Sequence, residues 1–366
     1  MPTSTLAATV NHTTGTYPVK VGWGIIENLG QSILELGNTG PVYIITDSNV
    51  MNPYGRQVQW SLQKAGLKTH CFVFPAGEQS KNQTSASAIY EWLVARKAER
   101  KHMIVAVGGG VVGDLAGYVA STFLRGIPFI QVPTSMASMV DASIGGKVAI
   151  NLPQGKNLVG SFYQPQAVIA DVSTLQSLGK RELSEGWAEA IKHGFILDHS
   201  LVDVFANNSS QLMSLDPEIS TDVISTSMAI KANIVSQDEK ETLGLRILLN
   251  YGHTIGHALE ASTEYGRFMH GEGVSVGMIA ASRIAEKMGL IDGQLVQLHL
   301  DILQQYDLPV RADNINLDKF KSAMSLDKKT LSGKNQWVLL DKIGKAIVRT
   351  DVDPNIVEEV IRELIH

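Results

Sequence analysis

Three things are scarce in this chain, and each scarcity removes a class of protein. Cysteine occurs once, at Cys71, so no intrachain disulfide can form and a reducing compartment, the cytosol, is expected. Basic residues are not in excess: 31 Lys and Arg stand against 36 Asp and Glu, a formal net charge of -5. Little is left to neutralise a phosphate backbone, which argues against a nucleic-acid partner. No apolar run approaches the length of a membrane span, and the opening MPTSTLAATVNHTTGTYPV lacks both the basic start and the apolar core of a secretory signal. No membrane association is expected. Internal repeats and low-complexity tracts are missing as well.

At 366 residues the chain exceeds a typical single core, and 44% hydrophobic with 18% charged residues is ordinary for a globular enzyme. Two domains are therefore expected. The stretch around which the rest is read is LNYGHTIGHALE, residues 249–260. Ile255, Ala258 and Leu259 give it a helical apolar stripe, which puts His253 and His257 on one face. Two imidazoles so placed can serve one metal together, or one can ligate while the other moves protons. Thr254 stands where the zinc-protease motif has its glutamate, so that motif is excluded. A third histidine, His270, follows in FMHGEG close to Glu272. A lone histidine is more often an ordinary core or surface residue than a ligand. The close pair, flanked by Gly252 and Gly256, makes a metal or proton-transfer site the working hypothesis.

Ahead of that stretch, strand and helix patterns alternate. Strands are expected at Thr16–Val21, Pro41–Val50, Lys68–Pro75, Met103–Val107, Phe129–Pro133 and Gln166–Asp171. Helical patterns at Ile25–Leu36, up to Gly66, and Ser85–Glu99 lie between them, which predicts a parallel sheet in a Rossmann-like α/β domain. Open sheets of this kind bind ligands at the carboxyl ends of their strands. Asp47 sits at one such end, where it would meet a ribose or adenine, or simply cap the next helix. Glu78 and Lys81 follow the next strand. The clearest signal is GGGVVGD: a strand, a turn at Gly108–Gly110, and a helix through Asp114–Ala120. Glycines there let backbone N–H groups approach a pyrophosphate at a helix N-terminus. Thr134 and Ser135 end the following strand. The segment MVDASIGGKVAINLPQGKNLVG has no helical stripe and holds Asp141, Gly145, Gly146, Lys147, Lys156 and Asn157. Lysines among glycines suit a phosphate or carboxylate, although solvated loop lysines are the commoner case.

After Thr174 the pattern is almost all helical. In RELSEGWAEAIKHGFI, Glu185 and Glu189 share a face, as do Glu189 and His193, with Lys192 alongside; on pattern alone these read as surface charges. A helix from Ser227 leads through Lys231 towards Glu241, Arg246 and Asn250, just ahead of the histidines. Val274–Leu290, Gln294–Tyr306 and Asn355–Ile365 read as packing helices, interrupted by the basic loop and short strand of SLDKKTLSGKNQWVLL.

Six blocks, GGGVVGD, STFLRGIPFIQVPTS, GGKVAINLPQGKN, EGWAEAIKHG, GLRILLNYGHTIGHALE and MHGEGVSVGM, occur in this order. With them the chain resembles the 3-dehydroquinate synthase family of sugar-phosphate cyclases over essentially its whole length. That resemblance implies an NAD-binding α/β domain over 1–175 and a helical metal- and substrate-binding domain over 176–366, with the active site between them. It implies a phosphate-eliminating lyase acting on 3-deoxy-D-arabino-heptulosonate 7-phosphate (DAHP). The route is transient oxidation by NAD, loss of phosphate, re-reduction, ring opening and aldol closure to 3-dehydroquinate. Zinc, or alternatively cobalt, would be held by Glu189, His253 and His270, with His257 and Glu241 moving protons. The substrate's phosphate and carboxylate would meet Lys147, Lys192, Lys231, Arg246 and one of Lys328 and Lys329, with Asp141, Asn157 and Asn250 as polar partners. Four of these cations, Lys147, Lys192, Lys231 and Arg246, are expected in one cleft with His253. Arg125 resembles an arginine contributed across a homodimer interface. NAD would contact Asp47, Glu78, Lys81, the turn Gly110, Val111, Val112, Gly113 and Asp114, then Thr134, Ser135, Lys147, Lys156, Thr174, Leu175, Gln176 and Ser177. One departure is visible: DEKETLGLR carries an extra residue between Glu241 and Arg246 relative to the family pattern. The alternatives are another sugar-phosphate cyclase, or a metal-dependent glycerol-phosphate or alcohol dehydrogenase.

Overall fold

The structure, a computed structural model, describes residues 4–264, 266–327 and 336–365. Lys328 and Lys329 lie outside the described residues. The chain forms two compact units. Met1–Leu178 with Pro217–Lys240 make the first, and Gly179–Asp216 with Glu241–His366 make the second.

The first unit is built on one sheet. Its strands are β1 (Thr5–His12), β2 (Gly15–Gly22), β3 (Val42–Asp47), β4 (Thr69–Phe74), β5 (Met103–Gly108), β6 (Phe129–Pro133) and, beyond a separate hairpin β7 (Lys147–Leu152) and β8 (Gly155–Phe162), β9 (Val168–Asp171). The order across the sheet is β1-β2-β9-β6-β5-β3-β4, antiparallel only between β1 and β2. Every residue of β3, β5 and β6 is buried, as near-continuous apolar strands covered on both faces must be. Helices α1 (Leu29–Glu35) and α2 (Arg56–Lys64) cover one face, where Leu29, Ile33, Val58 and Leu62 meet Val42, Ile44, Val105 and Val107. On the other, α3 (Gln83–Ala95) and α4 (Gly110–Thr122) bring Ile89, Leu93, Leu115 and Val119 onto Tyr43, Ile45, Ile104 and Ala106. Alternate residues of each strand thus feed opposite cores.

The second unit begins with α5 (Lys180–Leu197), α6 (His199–Asn207) and α7 (Ser209–Met213). The chain then returns to the first unit for α8 (Pro217–Gln237), so the division lies after Leu178 and again at both ends of this helix, not once near residue 175. The cause is local chemistry. Backbone N–H groups of the β1–β2 hairpin donate to α8 and its end, Asn11 N to Ser236 Oγ at 2.9 Å and Thr13 N to Glu239 Oε2 at 2.9 Å. Back in the second unit come α9 (His253–Ser262), α10 (His270–Lys287), α11 (Gly293–Gln305), α12 (Leu317–Asp327), the antiparallel pair β10 (Trp337–Lys342) and β11 (Lys345–Arg349), and α13 (Pro354–Leu364).

Helix α10 is the hub of this unit, and it makes backbone-on-backbone contacts on two sides. A Cβ on Gly277 would lie 1.8 Å from the carbonyl oxygen of Gly252, and one on Gly271 would lie 1.8 Å from that of Glu185. Only hydrogen at these positions lets α10 rest on the turn before α9 and on α5. Gly277→Ala should therefore destabilise the protein by at least ~2 kcal/mol, since overpacking against backbone cannot relax by rotamer change. Gly266→Ala, where the nearest atom is Thr263 O at 3.9 Å, should be close to neutral. Urea denaturation of the two variants checks this, and equal midpoints would refute it.

Candidate active site

Glu189 sits in the middle of α5 with only 1% of its surface exposed. Its Oε2 accepts a short hydrogen bond from the equally buried Lys192 one turn on. These residues, which on pattern read as surface charges, are interior. Oε1 takes no hydrogen bond from the described residues. It faces His253 Nε2 at 3.6 Å and His270 Nε2 at 3.5 Å, from the first turns of α9 and α10.

Those separations are too long for hydrogen bonds but suit ligands of one ion. Two donors about 2.0–2.1 Å from a tetrahedral zinc lie about 3.3 Å apart. The three donor atoms all lie within 4.8 Å of one another, and one carboxylate with two imidazoles is a donor set that suits zinc or cobalt. The residues therefore fit a divalent ion. The remaining ring nitrogens are fixed. His253 Nδ1 donates to the carbonyl of Tyr251 at 3.2 Å, and His270 Nδ1 donates to Glu260 Oε1 at 2.8 Å, which leaves each Nε2 facing Glu189. Tyr251 is itself buried, its hydroxyl 3.1 Å from His299 Nε2. His257 packs edge-on to His253, ring centres 5.2 Å apart, and is exposed.

The electrostatics of this cluster follow from one buried carboxylate serving several cations. Burial alone would raise the Glu189 carboxyl, but Lys192, His253 and His270 hold it well below its ordinary value. Burial, reinforced by Lys192, pushes His253 well below the usual imidazole value despite Glu189. Burial opposes the charging of His270 too, yet Glu189 and Glu260 push it up to about 10. The two imidazoles lie almost equally far from Glu189, so what separates them is the Lys192 cation near one and the second carboxylate on the other. A divalent ion would displace the proton between them.

Glu272 does not join the cluster; it accepts from Met269 N at 2.9 Å and pairs bidentately with Arg181, 2.6 and 2.7 Å. Arg246, buried, has its Nε 3.1 Å from Glu241 Oε1, with Glu241 in the left-handed region at φ 58°. Asn250 ends the same 3₁₀ segment, exposed.

The first unit carries its own polar cluster at the carboxyl end of its sheet. The connection from β4 returns across β3 to β5, so the order of strands reverses there, and such a point opens a crevice for ligands. β5 runs into the glycine turn and the N-terminus of α4, whose first-turn N–H groups have no intrahelical acceptor. Gly109 and Gly110 leave that turn clear, since a Cβ at Gly110 would meet only Ala142, at 3.5 Å. The fit to a dinucleotide phosphate is good. Beside it, Lys81 Nζ lies 2.9 Å from Asp114 Oδ2, 2.7 Å from Asn157 Oδ1 and 3.2 Å from Glu78 Oε1. Four residues expected from distant motifs thus form one network. Asn151, which nothing in the sequence singled out, ties it together by donating to Glu78 at 2.7 Å and accepting from Asn157 N at 2.9 Å.

The other expected residues fall as follows. Lys231 makes a short ion pair with Asp141, and Lys147 and Lys156 are exposed on β7 and β8. Asp47 accepts from Asn49 N at 2.8 Å and Val50 N at 3.0 Å, which is the capping arrangement. Thr134 N donates to Gly108 O at 3.0 Å, and a Cβ on Gly109 would lie 3.3 Å from Ser135 Oγ, so both residues flank the glycine turn. Val112, Thr174 and Leu175 are fully buried, and the Thr174 hydroxyl is spent on Asp171 O at 2.7 Å. Val111 and Gly113 lie in the first turn of α4, and Gln176 and Ser177 are exposed. Arg125 is exposed on a turn in which Leu124, Arg125 and Gly126 all have positive φ, 51°, 67° and 116°. Two non-glycine residues in that region are costly, and the turn stores strain. Among the residues the sequence did not flag, Glu260, Tyr251 and His299 stand out. Glu260 lies inside the histidine motif, but chain spacing does not reveal that it meets His270.

Comparison with known proteins agrees over most of the chain. Residues 71–185 match the family model described as 3-dehydroquinate synthase N-terminal, and residues 186–330 match 3-dehydroquinate synthase C-terminal. A protein of Symbiobacterium thermophilum named 3-dehydroquinate synthase is 43% identical, covering 93% of this chain and 95% of its own. One of Nitrosospira multiformis with the same name is 42% identical over 95% and 94%. Among solved structures, a 2-deoxy-scyllo-inosose synthase in complex with carbaglucose-6-phosphate, NAD+ and Co2+ superposes with a TM-score of 0.85 at 28% identity, covering 99% of this chain and 100% of that one. A 2-epi-5-epi-valiolone synthase from Streptomyces hygroscopicus with NAD+ and Zn2+ bound gives 0.86 at 26%, over 95% and 96%. A butanol dehydrogenase of Thermotoga maritima, at 17% identity and a TM-score of 0.63 over 94% and 95%, shares the fold alone.

The Asp114 carboxyl carries a testable pH signature. Burial pushes it up to about 6 against the pull of Lys81. Between its ordinary value of 3.8 and about 6, the folded chain binds a proton that the unfolded chain has released. This group's contribution to stability therefore falls as pH rises through that window. Asp114→Asn should remove that part of the slope in urea denaturation from about pH 4 to about 7. An unchanged slope would show that Asp114 titrates normally.

Proposed function

The chain belongs to the 3-dehydroquinate synthase family, and on that footing we propose that it converts DAHP into 3-dehydroquinate and inorganic phosphate. The observation that carries the reading is the Glu189 Oε1 atom, buried and facing two imidazole nitrogens at 3.5 and 3.6 Å. Glu189, His253 and His270 would hold a divalent ion, zinc in preference to cobalt. Such an ion acts as a Lewis acid that makes a substrate hydroxyl easier to ionise. The glycine turn and the first turn of α4 would hold NAD, which would supply a hydride acceptor.

The chain's own residues do the rest. His257, exposed beside the ligand imidazoles, is placed to hold and pass a proton, and we assign Glu241 to the same task. Lys147, Lys192, Lys231 and Arg246, with Asp141, Asn157 and Asn250, are assigned to the substrate's phosphate and carboxylate. A dianionic, carboxylated substrate would balance cations that are otherwise costly to bury. Asp141 on Lys231 and Glu241 on Arg246 would orient those two cations until substrate arrives. The network of Glu78, Lys81 and Asp114, with Asp47, Thr134, Ser135, Lys156 and the first turn of α4, is assigned to the dinucleotide. A second copy of the chain, in a cytoplasmic homodimer, would receive Arg125 from its strained turn. No helix among the described residues is long and apolar enough to cross a membrane.

Incubating metal-loaded protein with DAHP and a trace of NAD should release phosphate and dehydroquinate together, with NAD unchanged at the end. Stoichiometric NAD consumption would instead indicate a dehydrogenase. Arg246→Gln should weaken substrate binding and turnover by on the order of 2–5 kcal/mol, the range for breaking a buried charge pair, while zinc and NAD affinity stay near normal. His270→Ala should fold yet lose zinc and activity together. Full zinc content in that variant would refute the ligand assignment.

A further inference from the structure

The histidine motif ends in a charged residue that the proposed chemistry leaves without a task. Glu260, in the last turns of α9, has a side chain only 12% exposed. Its Oε1 lies 2.8 Å from His270 Nδ1. A charge count shows what such a residue is for. Glu189 is a single negative charge, and Lys192 already sits on its Oε2. A divalent ion against Oε1 would set three positive charges against one carboxylate that is itself only 1% exposed. Interior charges that are not balanced are costly. Two other acids lie close by, and each has work of its own. Glu185 accepts the backbone N–H of Gly271 at 3.0 Å and acts on His270 only through space, and Glu272 is held by Met269 N and Arg181. Glu260 is the carboxylate directed at a ligand imidazole.

The two imidazoles are consequently unlike. The outer nitrogen of His253 faces a neutral carbonyl, that of Tyr251, at 3.2 Å, whereas the outer nitrogen of His270 faces an anion. An imidazole whose Nδ1–H is held by a carboxylate is a more basic donor through Nε2 and is locked in one tautomer. We propose that Glu260 is a positioning residue of the metal centre, whose negative charge, delivered through His270, allows a divalent cation to bind beside Lys192. This inference rests on the metal-site reading given above.

The test separates charge from geometry. Glu260→Gln keeps the length of the side chain and an accepting oxygen but removes the charge; Glu260→Asp keeps the charge and shortens the reach. Zinc affinity is measured by competition with a chromophoric chelator, the visible spectrum is recorded with Co2+, and the metal-free proteins are compared by thermal melting. Glu260→Gln should bind zinc roughly 10–100-fold more weakly and shift the Co2+ bands, with metal-free melting little changed. Glu260→Asp should bind more tightly than the glutamine variant. Wild-type zinc affinity in Glu260→Gln, or tighter binding by Gln than by Asp, overturns the proposal. His253→Ala distinguishes the two readings. If it loses zinc while Glu260→Gln keeps it, only the role of Glu260 falls, and if it keeps zinc the metal site itself has been misassigned.

Discussion

The second unit depends on keeping a carboxylate ionised where water cannot reach it. Removing one partner from a buried charge pair costs about 3–5 kcal/mol, so Glu189 is tolerable in the interior only with its neighbours in place. Lys192 comes from the next turn of the same helix, and the two imidazoles come from the first turns of α9 and α10. The convergence in turn requires helix axes closer than side chains normally permit, which is why glycine faces backbone at Gly271 and Gly277. Packing and electrostatics are here one requirement: a methyl group at the contact would misplace the charges.

The first unit solves a different problem. It must present uncovered N–H groups and keep a buried cation ionised. The glycine turn achieves the first, because nothing from its own side chains covers it. Lys81, only 5% exposed, achieves the second by being held among Asp114, Glu78 and Asn157. Desolvation and the lysine pull Asp114 in opposite directions, and the carboxyl settles well above its ordinary value, a compromise typical of ligand sites.

Much of this was legible in the sequence, for identifiable reasons. β3, β5 and β6 are continuous apolar runs because both faces are covered, and a run of that kind is visible without an alignment. The glycine turn and the His253–His257 spacing are likewise local. What escaped was non-local. Glu189 and Lys192 read as surface charges because charge pattern alone cannot report that α10 lies on top of α5. The hairpin β7–β8 read only as a segment without a helical stripe, since its exposed strand β8 lacks clean alternation. Helix α8 looked like part of the helical half, and only its acceptors for the β1–β2 hairpin place it with the sheet. Asp47 had two readings, and its carboxylate caps the backbone that follows it.

The chain passes between its two units three times, after Leu178, Asp216 and Lys240. On a ribosome this sets an order of assembly. Residues up to 178 emerge without the helix that accepts the N–H groups of Asn11 and Thr13, and α5 emerges long before His253 and His270 exist. During that interval Glu189 has one partner that was synthesised with it, three residues on. Lys192 is thus the one partner whose place beside the carboxylate is set by the helix alone, and the burial that makes the pair necessary begins only once α10, which carries His270, is made and can pack on α5.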